Sequence, residues 1–164
     1  MKNEKKIVRG FTLIELLIVF AIMAIMTGVL FVNQNSRKAT MAVEGAARIV
    51  AAQVRALQNE ALSGKKIGDE YVGRFIFSVA ADATIYTIEY RKSDNTPLSP
   101  PQSTTTDLQS KKVKFAAAES FYFATPNAKL SGAGSIRIVS ADGTATRYVC
   151  VSVDGSVEEK TSCP

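Results

Sequence analysis

The stretch RGFTLIEL, residues 9–16, decides how this chain is read. It places a glutamate, Glu15, near the start of a run that is otherwise apolar. Residues 11–32 read FTLIELLIVFAIMAIMTGVLFV, 22 residues with one charge. At about 1.5 Å per residue a helix of that length reaches roughly 33 Å, enough to cross a hydrocarbon core of about 30 Å. A secretory signal has a shorter apolar core, roughly 7–15 residues, closed by a small-x-small cleavage site. Here the run is longer and gives way to Asn33-Gln34-Asn35-Ser36-Arg37-Lys38. A buried core helix is the other competitor, but a chain of this size cannot cover so long a helix on every side. The expectation is a transmembrane segment.

Working outward, Lys2, Lys5, Lys6 and Arg9 precede the segment, and Arg37, Lys38 and Arg48 follow it. The excess of basic residues on the leading side favours a cytoplasmic N-terminus by a small margin. Residues 1–10 hold +3 of the chain's net charge of +5, so the remainder is only slightly basic and reads as an ordinary solvated surface. There is no histidine, so a histidine acid/base pair or triad cannot be built. The two cysteines, Cys150 and Cys163, are too few for an ordinary zinc site. Gly132-Ala133-Gly134 reads as a turn, without the third glycine and following helix of a phosphate loop. No metal and no cofactor are expected, and the chain is not expected to be an enzyme.

Glu15 needs an explanation, because a carboxylate inside a membrane span is costly, less so near the interface. Thr12-Leu13-Ile14-Glu15 has the spacing of a capping box: Thr12 caps the helix and Glu15 reaches back to a free main-chain N–H. A second reading makes Glu15 a charge awaiting a cation from another subunit. The two are compatible.

Gly10-Phe11-Thr12-Leu13-Ile14-Glu15-Leu16 resembles the processing signature of type IV prepilins and type II secretion pseudopilins. It combines a short basic leader, a glycine, a phenylalanine, a glutamate five residues into the mature chain and an apolar helix. The resemblance implies that prepilin peptidase cuts between Gly10 and Phe11 and that the new Phe11 amine is methylated. It implies a precursor in the inner (cytoplasmic) membrane, single-pass with its N-terminus in the cytoplasm, then extracted into an extracytoplasmic filament of pilin or pseudopilin subunits. The resemblance further implies that in that filament Glu15 pairs with the Phe11 amine of a neighbour. Desolvation offsets most of the attraction of such a pair, so its contribution is register more than net stability. Major pilins of this family usually carry a proline about twenty-two residues into the mature chain; Val32 stands there, and Gly28 is the one obvious weak point of the helix.

Residues 33–64 keep a helical pattern and turn amphipathic. Ala39, Val43, Ala46, Val50, Val54, Leu57 and Ala61 trace one face, with Arg37, Lys38, Glu44, Arg48, Arg55, Gln58 and Glu60 mostly off it. Gly64 is a C-cap candidate. Strands are expected at 74–79 and 84–90, joined as a hairpin, and more weakly at 112–115 and 120–124. A second hairpin is expected from 135–140 and 146–153, followed after Asp154-Gly155 by 156–160. Residues 93–110, with three prolines and many Ser/Thr, read as an exposed, mobile loop. The expected fold is α+β and pilin-like: a leader at 1–10, a membrane and filament-core helix at 11–32, its amphipathic continuation at 33–64, and an antiparallel β domain at 65–164.

Cys150 falls in an expected strand and Cys163 is next to last. A bridge between them ties down a tail that otherwise frays and suits a domain outside the cytoplasm; two free thiols are the alternative. The C-terminal run is similar to the tail of H-type minor pseudopilins and related minor pilins. Relatives that take up DNA have basic residues after the corresponding glycine, whereas Glu158 and Glu159 stand here, and carboxylates repel phosphate. Lys111, Lys112 and Lys114 form the remaining basic cluster, which also reads as strand-edge lysines. Two rivals stay open: a tip-located binding module for adhesion or DNA uptake, contacting its target through 93–110, and a monomeric single-pass anchor with an uncut N-terminus.

Overall fold

The computed structural model describes residues 12–163, and side chains throughout that range except for residues 29–36. The leader at 1–10 and the Gly10–Phe11 junction lie outside the described residues. The chain divides into two compact units, residues 1–37 and 38–164.

One helix, α1 (Leu13–Ser63), belongs to both. It does not break at Gly28, the weak point named above. It ends where Gly64 takes a left-handed φ of 65° and Lys65 N–H donates to Glu60 O at 3.4 Å, the six-to-one bond of a Schellman cap. Within the C-terminal unit the expected stripe is the buried one. Val43, Ala46, Val50, Val54, Leu57 and Ala61 are fully covered, joined by Ala47 and Ala51. Alanine at these positions lets main chains approach closely.

That stripe lies on two antiparallel sheets, where the sequence led us to expect one. The larger holds β3 (Arg74–Val79), β4 (Ile85–Arg91), β5 (Pro97–Asp107), β7 (Glu119–Ala124) and β8 (Lys129–Leu130), in the order β5-β4-β3-β7-β8. The smaller holds β6 (Val113–Phe115), β9 (Gly134–Ser140), β10 (Thr146–Val151) and β11 (Val157–Lys160), in the order β11-β10-β9-β6. A short pair, β1 (Lys66–Ile67) and β2 (Glu70–Tyr71), follows the helix. β3 alternates half-buried and buried residues, and its inward Phe75 and Phe77 are fully covered. Phe77 stacks between Tyr86 at 5.3 Å and Phe121 at 5.5 Å, an arrangement worth more than its area alone. Ile136, Ile138, Val149 and Val151 supply the other half of a single core that the helix stripe completes.

The expected loop at 93–110 is corrected. Residues 97–107 form β5, paired with β4 from Ile85↔Asp107 to Tyr90↔Gln102, with a bulge before Arg91↔Pro97. Its exposure is as expected, and its regular strand pairing is not. Pro100 and Pro101 lie in the bulge, where a missing N–H does no harm, and the outer side of an edge strand tolerates a polar Ser/Thr composition.

Candidate functional site

The head of α1 is held by its own side chains. Thr12 N–H and Thr12 Oγ–H both donate to Glu15 Oε2 at 2.9 Å, and Glu15 N–H donates back to Thr12 Oγ1 at 3.3 Å. This is a reciprocal capping box, and the first helical bond, Leu16 N–H to Thr12 O, follows at 3.3 Å. All the contacts of the Glu15 carboxylate run through Oε2. Among the described residues nothing donates to Glu15 Oε1.

Beyond the cap, the N-terminal unit presents apolar side chains on every side, from 44% exposed at Val19 to 78% at Leu13. Thr27 is a polar residue in this run, and its hydroxyl donates to Met23 O at 2.7 Å, so it offers no free donor. So large an uncovered apolar surface marks a membrane or protein contact. Among the described residues no helix is long and apolar enough to cross a membrane. The described side chains of this segment stop at Gly28, whereas the apolar run of the sequence continues to Val32.

Cys150 and Cys163 are joined by a disulfide. The same C-terminal hairpin is gripped from the helix. Arg55 donates to Val157 O at 2.7 Å and Gln58 Nε2 donates to Gly155 O at 3.0 Å. Glu44 of α1 pairs with Arg147 of β10, and that guanidinium holds the Glu44 carboxyl below the usual range, chiefly by hydrogen bonding. Arg48 and Glu159 complete a small charged cleft there. The polar side of the helix is therefore a row of anchors for the tail. No local spacing could have signalled these contacts, because the partners lie 97 to 103 residues apart.

Of the three lysines considered as a patch, Lys114 is paired with Asp82 at 2.6 Å, whereas Lys112 closes a 3-10 turn at Gln109–Lys111 through its main-chain N–H alone and keeps an exposed side chain. Glu158 pairs with Lys160 at 2.5 Å. A groove of about 440 Å³ lies between β2 and the β4–β5 connection. It is crossed by the Glu70–Lys92 ion pair at 2.7 Å, which lowers the Glu70 pKa. Among the described residues no group of three or more His, Cys, Asp or Glu is placed to hold a metal.

Residues 5–31 match the family model described as the prokaryotic N-terminal methylation motif. The chain carries the methylation motif that marks type IV prepilins and pseudopilins. The motif covers Thr12, Glu15 and most of the exposed apolar helix. Comparison with curated proteins and with solved structures gave no match. The motif implies processing by prepilin peptidase, a membrane-anchored precursor and assembly with other pilin subunits, in keeping with a long N-terminal helix followed by antiparallel sheets.

Proposed function

We propose that this chain is a minor subunit of a type IV pilus or type II secretion filament, acted on by enzymes and not itself one. Prepilin peptidase cleaves between Gly10 and Phe11, and the freed Phe11 amine is methylated. Before assembly the chain crosses the inner membrane once through residues 11–32, its N-terminus in the cytoplasm and its β domain outside. In the filament, Glu15 accepts the Phe11 amine of a neighbouring subunit.

The observation that carries this reading is the division of labour on Glu15. One oxygen is used within its own helix by Thr12, and the other has no donor among the described residues. The capping role and the assembly role therefore need not compete. A carboxylate in apolar surroundings is penalised until a cation reaches it, so a neighbour in the wrong stagger leaves it stranded. The minor assignment rests on Val32, where major pilins usually have proline, and on the helix being continuous there.

The test separates cap from assembly. Glu15→Gln keeps an acceptor for Thr12 and removes the charge. The variant should insert and be processed while its level in purified filaments falls at least tenfold. Filament levels equal to the unaltered chain would overturn the proposed role of Glu15.

A further inference from the structure

We propose that the free edge of β5 pairs with β5 of a second copy of this chain. The phase of β5 is fixed by Leu108 N–H, which donates to Thr84 O at 2.8 Å. Opposed residues that exchange hydrogen bonds then continue as Tyr86↔Thr106, Ile88↔Thr104 and Tyr90↔Gln102. Ser103, Thr105 and Asp107 therefore turn their N–H and C=O groups away from β4, at the end of the sheet order. Residues 103–106 also have hydroxyls that find no protein partner among the described residues.

Sheet edges are ordinarily blunted by shortness, charge, bulges or cover. The other edges of the two larger sheets are blunted. β8 has two residues. β6 has three, and Phe115 is tied off by Asp82 N–H donating to its carbonyl at 2.8 Å and by its own N–H donating to Ala83 O at 2.9 Å. β11 carries Glu158, Glu159 and Lys160, and Arg55 takes the Val157 carbonyl. Residues 102–107 of β5 have little of this: no lysine, no proline, a single charge at the end residue Asp107, and a bulge only beyond Gln102.

The occupant follows from self-complementarity. An antiparallel pair centred on Thr105 sets Thr105 against its own copy and Ser103 against Asp107, so every outward main-chain group meets another. No like charges are opposed. The one charge, Asp107, already accepts from Thr84 Oγ1 at 2.9 Å and Gln109 N–H at 2.7 Å, and it would face an uncharged serine. Thr104 then lies opposite Thr106 of the copy as a non-hydrogen-bonded pair, with Cα atoms about 4.5 Å apart, inside the range that a disulfide spans.

The experiment uses full-length chains with two different tags, co-expressed in membranes and oxidised mildly. A Thr104→Cys chain with a Thr106→Cys chain should give a mixed-tag disulfide dimer. Either variant paired with itself, or a Val153→Cys control, should give at least tenfold less. Adding Thr105→Lys to both chains opposes two ammonium groups across the two-fold and should cut the mixed dimer at least tenfold, with an unchanged melting temperature. Absence of a mixed dimer, equal yields from the control, or an adduct whose mass belongs to a different subunit would each overturn the proposal.

Discussion

Gln58 Nε2 lies 2.4 Å from the place a Cβ on Gly155 would occupy, and it donates to the Gly155 carbonyl at 3.0 Å. The helix thus reads the β10–β11 turn at its tightest point. Gly155 is also at φ 87°, where a side chain is penalised. Gly155→Ala should therefore lose about 1–2 kcal/mol from the backbone alone, and more from displacing Gln58. Adding Gln58→Ala should cost less in that background than in the unaltered chain, because the bond is already broken. Thermal melts of the four chains in detergent test this; strictly additive losses would contradict it.

The disulfide closes a loop of 14 residues at the end of the chain. In the chain-entropy model such a loop stabilises by about 3 kcal/mol. Replacing both cysteines by serine should lower the denaturation midpoint and speed proteolysis after Val157. Identical digestion patterns with and without reductant would contradict the role given to the bridge.

Alanine is packed on one side of α1 and idle on the other. Ala51 is fully covered while its neighbour Ala52 is exposed. Ala51→Leu should overpack the contact with the sheets and cost about 1–3 kcal/mol. Ala52→Leu should stay within about 0.5 kcal/mol of the unaltered chain. Equal melting temperatures for the pair would show that the stripe is not the buried face.

Asp142 holds the β9–β10 turn. Its Oδ1 accepts from Ser140 Oγ at 2.5 Å, from Thr144 N–H at 3.1 Å and from Thr144 Oγ1 at 2.8 Å. These bonds, that of Ser140 foremost, lower its pKa. A carboxyl lowered on folding stabilises the fold above its unfolded value and loses that contribution as pH falls through the folded one. The turn should therefore loosen below about pH 4. Asp142→Asn should flatten that part of the stability-against-pH curve. A carboxyl carbon NMR titration of Asp142 with an ordinary or raised midpoint would refute the assignment.

The helix and most strands were legible because their signal is local. Seven stripe residues at steps of three and four announced the buried face of α1, and alternation announced β3, β4, β9 and β10. β5 was hidden by its own composition, since prolines and threonines on a polar edge look like a loop until β4 supplies the register. β1, β2 and β8 are two-residue pieces with too little length for any period. The split into two sheets depends on which strands pair across long separations, and no spacing encodes that. At the site, the Thr12–Glu15 cap was readable from four consecutive residues. The anchors Glu44, Arg55 and Gln58 were visible only as polar positions, without their partners on the tail.

The most direct test of a processed filament subunit is the intact mass of the protein extracted from assembled filaments. The expected result is a chain beginning at Phe11 and carrying one added methyl group. A chain beginning at Met1 in those filaments would contradict it, because no free Phe11 amine would then exist for Glu15 to meet.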